Sequence, residues 1–158
     1  MDRMILPGKL SGVLTAPPSK SAAQRILLAA ALCEESTEIE LNRICRDVET
    51  MARAVGALGA RAERISGVLR IVPGQDKLKK IDTKDSGATA RFLLPVLAAR
   101  GEEVFLSGAP RPHGELTALL EAHGASLSAR ELPLRLWGRL TPGEYRLDRP
   151  ISSQFVSG

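Results

Sequence analysis

Residues 19–41 read SKSAAQRILLAAALCEESTEIEL, and residues 85–106 read DSGATARFLLPVLAARGEEVFL. Laid side by side they share a hydroxyl-rich start, an apolar helical stretch and a short alternating strand. Ser21 falls on Ser86, Arg25 on Arg91 and Leu28 on Leu94. The pairing continues downstream, where GARAERISGVLRIVPG from Gly59 matches GASLSARELPLRLWG from Gly124, at an offset of 65 or 66 residues throughout. A fixed period of this length marks a supersecondary unit repeated along the chain.

Each copy spells the same order of elements. A helix (about 20–33, then about 87–99) is apolar nearly all round, which argues for burial. Pro95 inside the second copy predicts a kink. A strand follows (TEIEL, then EEVFL), and next a helix begun near Asp47 or Pro112 and stopped at Gly59 or Gly124. Two strands close each copy as a hairpin: ARAERI with VLRIV, and SLSAR with LRLWG. A leading strand precedes each helix: GVLTA, KKIDT and then EYRLD, with Leu14, Ile81 and Leu147 in step. The fold class is therefore α+β, built of βαβαββ units. The expected division is 14–78 for the first unit, 79–143 for the second and 144–158 for the opening of a third, cut short. On the period alone the chain reads as a fragment.

Composition narrows the function. With 158 residues, 44% hydrophobic and 25% charged, the chain suits one globular domain. No stretch of 18 apolar residues predicts a membrane span. The start MDRMILPGKL lacks the apolar run of a secretory signal, so a cytoplasmic location is expected. Cys33 and Cys45 match no metal or redox spacing, and a reduced pair is the default reading. A net charge of +4 admits anionic partners, but Phe92, Phe105, Trp137, Tyr145 and Phe155 are scattered. Without a basic cluster interleaved with aromatics, nucleic acid is not expected and small acidic metabolites are.

Candidate chemistry sits at the strand-to-helix junctions, where free N–H groups and the positive helix end point at one spot. In APPSKSAAQR (16–25) Lys20 adds a mobile charge, Ser21 a hydroxyl and Arg25 a guanidinium fork. The plainer alternative is that Ser19 or Ser21 caps the helix and Arg25 is solvated. The Lys-Ser pair is not a Walker loop, because no G-x-x-x-x-G precedes it. DSGATAR offers Gly87 for close backbone approach and Arg91 at the place of Arg25, or else a capped helix with a surface arginine. SGAPRPHGEL (107–116) brings Arg111 and His113 in a turn, where a histidine is expected at the surface. Ser152, Ser153 and Gln154 supply two hydroxyls and an amide at the third junction. Asp82 and Asp85 are expected to serve the turn before the second helix.

P-x-S-K-S-x-x-x-R before an apolar helix resembles the opening of the 5-enolpyruvylshikimate-3-phosphate synthases, also called 3-phosphoshikimate 1-carboxyvinyltransferases. DSGATAR resembles that family's glycine motif, SGAPRPHGEL its arginine segment and ISSQFVSG its serine-serine-glutamine motif; the resemblance spans the whole chain in order. It implies two domains of three βαβαββ units each, with helices inside and sheets outside. It further implies that residues 1–13 hold a strand normally lent to the second domain, and that the full-length protein is a monomer. By resemblance, Lys20, Ser21, Arg25, Ser152, Ser153 and Gln154 bind shikimate-3-phosphate, while Lys20, Gly87, Arg111 and Gln154 line the phosphoenolpyruvate side. The implied reaction transfers the enolpyruvyl group to the 5-hydroxyl with release of phosphate. No metal or cofactor is expected, and the acid–base groups belong to the second domain, so the chain alone is expected to be inactive. Asp85 and Ala88 stand where relatives often carry asparagine and threonine. The runner-up readings are an enolpyruvyl transferase acting on UDP-N-acetylglucosamine and a non-catalytic anion-binding module.

Overall fold

The computed structural model describes residues 4, 7–9, 11–41, 43–111, 113–148 and 152–157. Along them run α1 (Lys20–Ala30), β1 (Thr37–Glu40), α2 (Arg46–Ala54) with a 3-10 turn at Val55–Leu58, β2 (Arg61–Ile65) and β3 (Val68–Val72). There follow β4 (Lys80–Asp82), α3 (Gly87–Arg100), β5 (Val104–Ser107), α4 (Gly114–Ala122), β6 (Ala125–Leu127), β7 (Leu134–Gly138) and α5 (Ser153–Ser157).

Serines open α1, α3 and α5. Ser19 Oγ accepts from the N–H of Ala22, and Ser86 Oγ from that of Thr89, each at 3.4 Å. Ser152 Oγ accepts from Gln154 N at 3.2 Å before α5. The caps thus pair Ser19 with Ser86, two residues away from the Ser21–Ser86 match read off the sequence. The proline pair ahead of Ser19 accounts for this, since it holds the chain extended up to that residue and the first hydroxyl able to cap is Ser19. Glycines close the second helix of each copy as expected. Gly59 and Gly124 adopt φ of 90° and 100°, and a Cβ at either would lie 2.4 Å from Gly74 O or 2.7 Å from Arg139 O. Both the conformation and the space require glycine there.

Two sheets form, one ordered β1-β3-β2 and the other β4-β5-β7-β6. The triplet β5-β7-β6 repeats the order of β1-β3-β2. β4 joins the second sheet parallel to β5, with Ile81 opposite Leu106. The two copies differ here from the sequence expectation. GVLTA (12–16) and EYRLD (144–148) are extended or bent but pair in no sheet, and Val13 and Leu14 stand fully in solvent. A strand needs a neighbour to satisfy its backbone groups. KKIDT has β5 beside it, whereas GVLTA and EYRLD have no such neighbour among the described residues. The expected strand within residues 1–13 lies partly outside the described residues (1–3, 5, 6 and 10), and residues 4, 7–9 and 11–13 form no strand; Pro112, at the expected start of the fourth helix, also lies outside them.

The helices lie inside and the sheets outside. α3 is wrapped on nearly every side, with Phe92, Leu93, Leu94 and Leu97 wholly buried, and runs unbroken through Pro95. The inward residues Leu134 and Leu136 of β7 pack on its side, and Leu69 and Ile71 of β3 are buried from the other sheet, while Arg70, Arg135 and Trp137 face water. Each such buried side chain contributes about 1.5–3 kcal/mol of transfer free energy. α1 is less enclosed than its all-round apolar sequence predicts, for Ile26 is 48% exposed. It also ends at Ala30, where the chain tightens into turns with Leu32 N donating to Ala29 O and Cys33 N to Ala30 O. Pro95, Val96, Leu119, Leu140, Tyr145 and Val156 line an apolar groove of about 510 Å³ on the α3–α4 side. No helix among the described residues is long and apolar enough to cross a membrane.

Several polar side chains are buried in this core, and Gln24 links three helices. Gln24 of α1 is fully buried, and its amide nitrogen lies 3.0 Å from Thr89 Oγ1, 3.2 Å from Ser86 Oγ and 3.3 Å from Asp47 O. Replacing it with leucine of similar size removes all three contacts while Ser86 Oγ and Thr89 Oγ1 keep each other at 2.8 Å, so Gln24→Leu is expected to lower stability by about 1 kcal/mol in urea unfolding. A variant as stable as the parent would show that the tie between the helices contributes nothing.

Candidate functional site

The starts of α1 and α2 meet at an ion pair. Asp47, in the first turn of α2, holds Lys20 Nζ at 2.6 Å. The hydrogen bond and the charge of Asp47 raise the Lys20 ammonium above its ordinary pKa, so Lys20 is a full cation at neutral pH. One turn along α1, Arg25 bends back to its own helix start, where Nη1 donates to Ser21 O (3.1 Å) and to Ser21 Oγ. Its other arm reaches across to α5, Nη2 donating to Ser157 Oγ at 2.6 Å, and its guanidinium stacks 4.5 Å above the Phe92 ring of α3. Arg25 is therefore packed and oriented rather than solvated.

The start of α3 carries a second cluster. Arg91 Nη1 donates to Gln154 Oε1 at 2.7 Å, and its guanidinium lies 5.1 Å from the Phe155 ring centre. Burial, aided by the neighbouring charge of Arg111, lowers the Arg91 pKa below its ordinary value, although an arginine stays charged at any physiological pH. Gly87 faces both guanidinium stems: a Cβ there would sit 3.5 Å from Arg111 Cγ and 3.8 Å from Arg91 Cζ. Any side chain at 87 would fill the space between the helix start and these two arginines.

His113 departs from the surface position expected of it. It stands at the start of α4 with no exposure at all, and burial followed by the charges of Arg91 and Arg111 lowers its pKa to about 4. The enclosure of the ring is not revealed by the local Gly/Pro composition. Asp82 does serve its turn, accepting from Lys84 N at 2.9 Å and pairing with Lys84 Nζ at 2.5 Å. Asp85 is exposed and lines the α2 side of the loop with Arg46, Thr50 and Lys84, away from Arg91 and Arg111.

Contacts thus run from Lys20 through Gln24 and Arg25 to α3, and from Arg91 to Gln154. Arg25 and Arg91 both reach α5, at Ser157 and Gln154, and Gly87 lies against Arg91 and Arg111, while Ser21 is held by Arg25. Ser152 is occupied as a cap and Ser153 is exposed on the first turn of α5. Arg91 and Gln24 were given no firm role by sequence reasoning. The equivalence of Arg91 to Arg25 in the repeat was the signal for one, and a glutamine on the inner face of an apolar helix the signal for the other. Lys20 alone is neutralised by a carboxylate; Arg25, Arg91 and Arg111 form no salt bridge among the described residues. Three guanidiniums without a carboxylate partner, two of them set on aromatic rings, concentrate positive charge here, the kind of arrangement that attracts anions. Among the described residues no three His, Cys, Asp or Glu side chains group to hold a metal ion.

Comparison with known proteins agrees with the motif order. A family model described as EPSP synthase (3-phosphoshikimate 1-carboxyvinyltransferase) matches residues 6–158. Proteins of that name from Clostridium novyi and Saccharolobus solfataricus are each 32% identical over 98% of the chain. The chain spans 40% and 38% of the length of these curated relatives. In fold it is similar to an EPSP synthase from Acinetobacter baumannii, with a TM-score of 0.80 and 21% identity over 92% of the chain and 36% of that structure. A more distant likeness is the enolpyruvyl transferase NikO from Streptomyces tendae, with a TM-score of 0.53 and 18% identity over 83% of the chain and 32% of that structure. With the family model running through all four motifs, the chain belongs to the EPSP synthase (3-phosphoshikimate 1-carboxyvinyltransferase) family.

Proposed function

We propose that these residues form one wall of the substrate cleft of a 3-phosphoshikimate 1-carboxyvinyltransferase. In that reaction the 5-hydroxyl oxygen of shikimate-3-phosphate bonds to C2 of phosphoenolpyruvate while C3 takes a proton. The tetrahedral intermediate then loses phosphate from C2 and the proton from C3. Two anions that repel each other must be brought into contact, and fixed cations and oriented N–H groups lower that barrier without reorganising. The observation that carries this reading is the trio Arg25, Arg91 and Arg111, uncompensated and gathered around capped helix starts, in a chain of this family.

In this assignment Ser21, Arg25, Ser152, Ser153 and Gln154 hold shikimate-3-phosphate. Gly87, Arg111 and Gln154 hold phosphoenolpyruvate, and Lys20 reaches both. Lys20 must exchange Asp47 for a substrate oxygen, which keeps it charged and in place until the ligand arrives. Gln154 takes its orientation from Arg91. Proton transfer is assigned to groups that this chain does not supply, and its part is binding and orientation. The protein is assigned to the cytoplasm, as a small-molecule enzyme with no nucleic-acid partner and a monomeric full-length form.

Calorimetry with shikimate-3-phosphate tests the first arm. Arg25→Ala is expected to weaken binding at least tenfold, the loss of a charge-assisted hydrogen bond of about 1.5–3 kcal/mol. Equal affinity would remove Arg25 from the site. Gly87→Ala tests the second arm, since its methyl group meets only ordinary contacts and the fold should survive. Phosphoenolpyruvate affinity should fall about tenfold while shikimate-3-phosphate affinity stays unchanged, a difference of about 1.4 kcal/mol. Equal losses for both ligands would mean that Gly87 does not separate the two subsites.

A further inference from the structure

Ser157, the last residue of α5, is joined to two residues of the shikimate-3-phosphate arm. Its Oγ accepts from Arg25 Nη2 at 2.6 Å and donates to Ser153 O at 2.9 Å. A serine hydroxyl has one hydrogen to give, so donation to Ser153 O leaves its lone pairs for Arg25. The guanidinium and the first residue of α5 thus meet at a single oxygen. The contact is at the surface, where a hydrogen bond adds little to stability, and its effect is on direction. Phe92 supports the guanidinium from below, but a ring face leaves rotation in its own plane open. Ser21 anchors one end through Nη1, and a fork held at one nitrogen can still pivot. The second anchor, at Nη2, stops the pivot. These contacts take at most three of the five N–H groups of an arginine, so a ligand oxygen can be met without breaking them.

We infer that Ser157 is a positioning residue, whose hydroxyl sets the direction of the Arg25 guanidinium against the first turn of α5 and thereby the affinity for shikimate-3-phosphate. The inference rests on the assignment of Arg25 to that ligand. Ser157 acts through Arg25 and need not touch the ligand. A hydroxyl suits this task better than a carboxylate, which would hold the fork more tightly but discharge it against the incoming anion. Because the same oxygen is bonded to Ser153, a shift of the α5 start is carried to Arg25, and the two ligand-holding groups move together.

The 158-residue chain is titrated with shikimate-3-phosphate as the parent, Ser157→Ala, Ser157→Thr, Arg25→Ala and the double variant Arg25→Ala/Ser157→Ala. Ser157→Ala should bind about fivefold more weakly, on the scale of one exposed hydrogen bond that water can replace. Ser157→Thr, which keeps the hydroxyl, should stay within about twofold of the parent. The double variant should bind like Arg25→Ala, because coupled residues are not additive. Phosphoenolpyruvate affinity, assigned to Gln154 of the same helix but not to Arg25, should be unchanged by Ser157→Ala. Parent-like binding by Ser157→Ala, no rescue by threonine, a full further loss in the Arg25→Ala background, or equal losses for both ligands overturns the inference alone. Parent-like binding by Arg25→Ala, or no binding by the parent, overturns it together with the substrate assignment beneath it. A readout without ligand is rotation of the Arg25 guanidinium about Nε–Cζ, followed by NMR. It should be slow in the parent and Ser157→Thr and fast in Ser157→Ala; the same rate in all three overturns the inference.

Discussion

The carboxamide of Gln24 fixes where three helices begin. From the inner face of α1 it reaches the backbone of Asp47 at the start of α2 and the hydroxyls of Ser86 and Thr89 at the start of α3. A net hydrogen bond contributes only about 1 kcal/mol, and Ser86 and Thr89 also pair with each other, but the contacts of Gln24 are directional and join residues 23, 62 and 65 positions apart. They favour one register of the helix starts, which apolar packing is less able to select. Once they are in register, Lys20 meets Asp47, Arg25 lies on Phe92, and Arg91 comes level with the α5 amide. Lys20, Arg25 and Arg91 all sit on the helices so aligned.

The cluster so formed runs against stability. Arg91 and Arg111 repel each other, and among the described residues neither the His113 ring nor Arg91 Nε has a hydrogen-bond partner. A chain optimised only to fold would replace them by apolar side chains, as buried charges and unpaired donors commonly cost more than they return. Their presence together places the unfavourable electrostatics where an anion would relieve them. Aromatic faces, Phe92 under Arg25 and Phe155 under Arg91, keep the guanidiniums oriented without discharging them. A carboxylate partner would orient them equally well but would compete with the ligand, as Asp47 does at Lys20.

The period, the helix-inside arrangement, the two hairpins and the glycine stops were legible because each depends on local pattern. Gly59 and Gly124 are forced by a left-handed turn, and the apolar spacing of α3 by burial on all sides. The leading strands were not legible in the same way, since GVLTA and KKIDT look alike and differ only in whether a neighbouring strand lies beside them. Lys20, Ser21, Arg25 and Gly87 were visible as residues suited to anions at helix starts, and so was Arg111 in its turn. His113 was misjudged as a surface residue because what covers a turn comes from elsewhere in the chain. Arg91 stayed ambiguous until Gln154 and Phe155 supplied its surroundings, and Gln24 could not be valued without the hydroxyls 62 and 65 residues away.

The unpaired GVLTA segment leaves the first sheet with β1 as its outer strand, where the second sheet has β4. An uncovered strand edge is a template for other chains, and proteins limit the risk with short, charged edges. β1 has only four residues, and Glu38 and Glu40 flank its single buried side chain, Ile39. Glu38 is further engaged by Arg70 of β3 at 2.6 Å. A second copy approaching that edge would set acidic side chains against acidic side chains before any backbone bond could form. The edge that the fold leaves open is thereby kept from seeding intermolecular sheet.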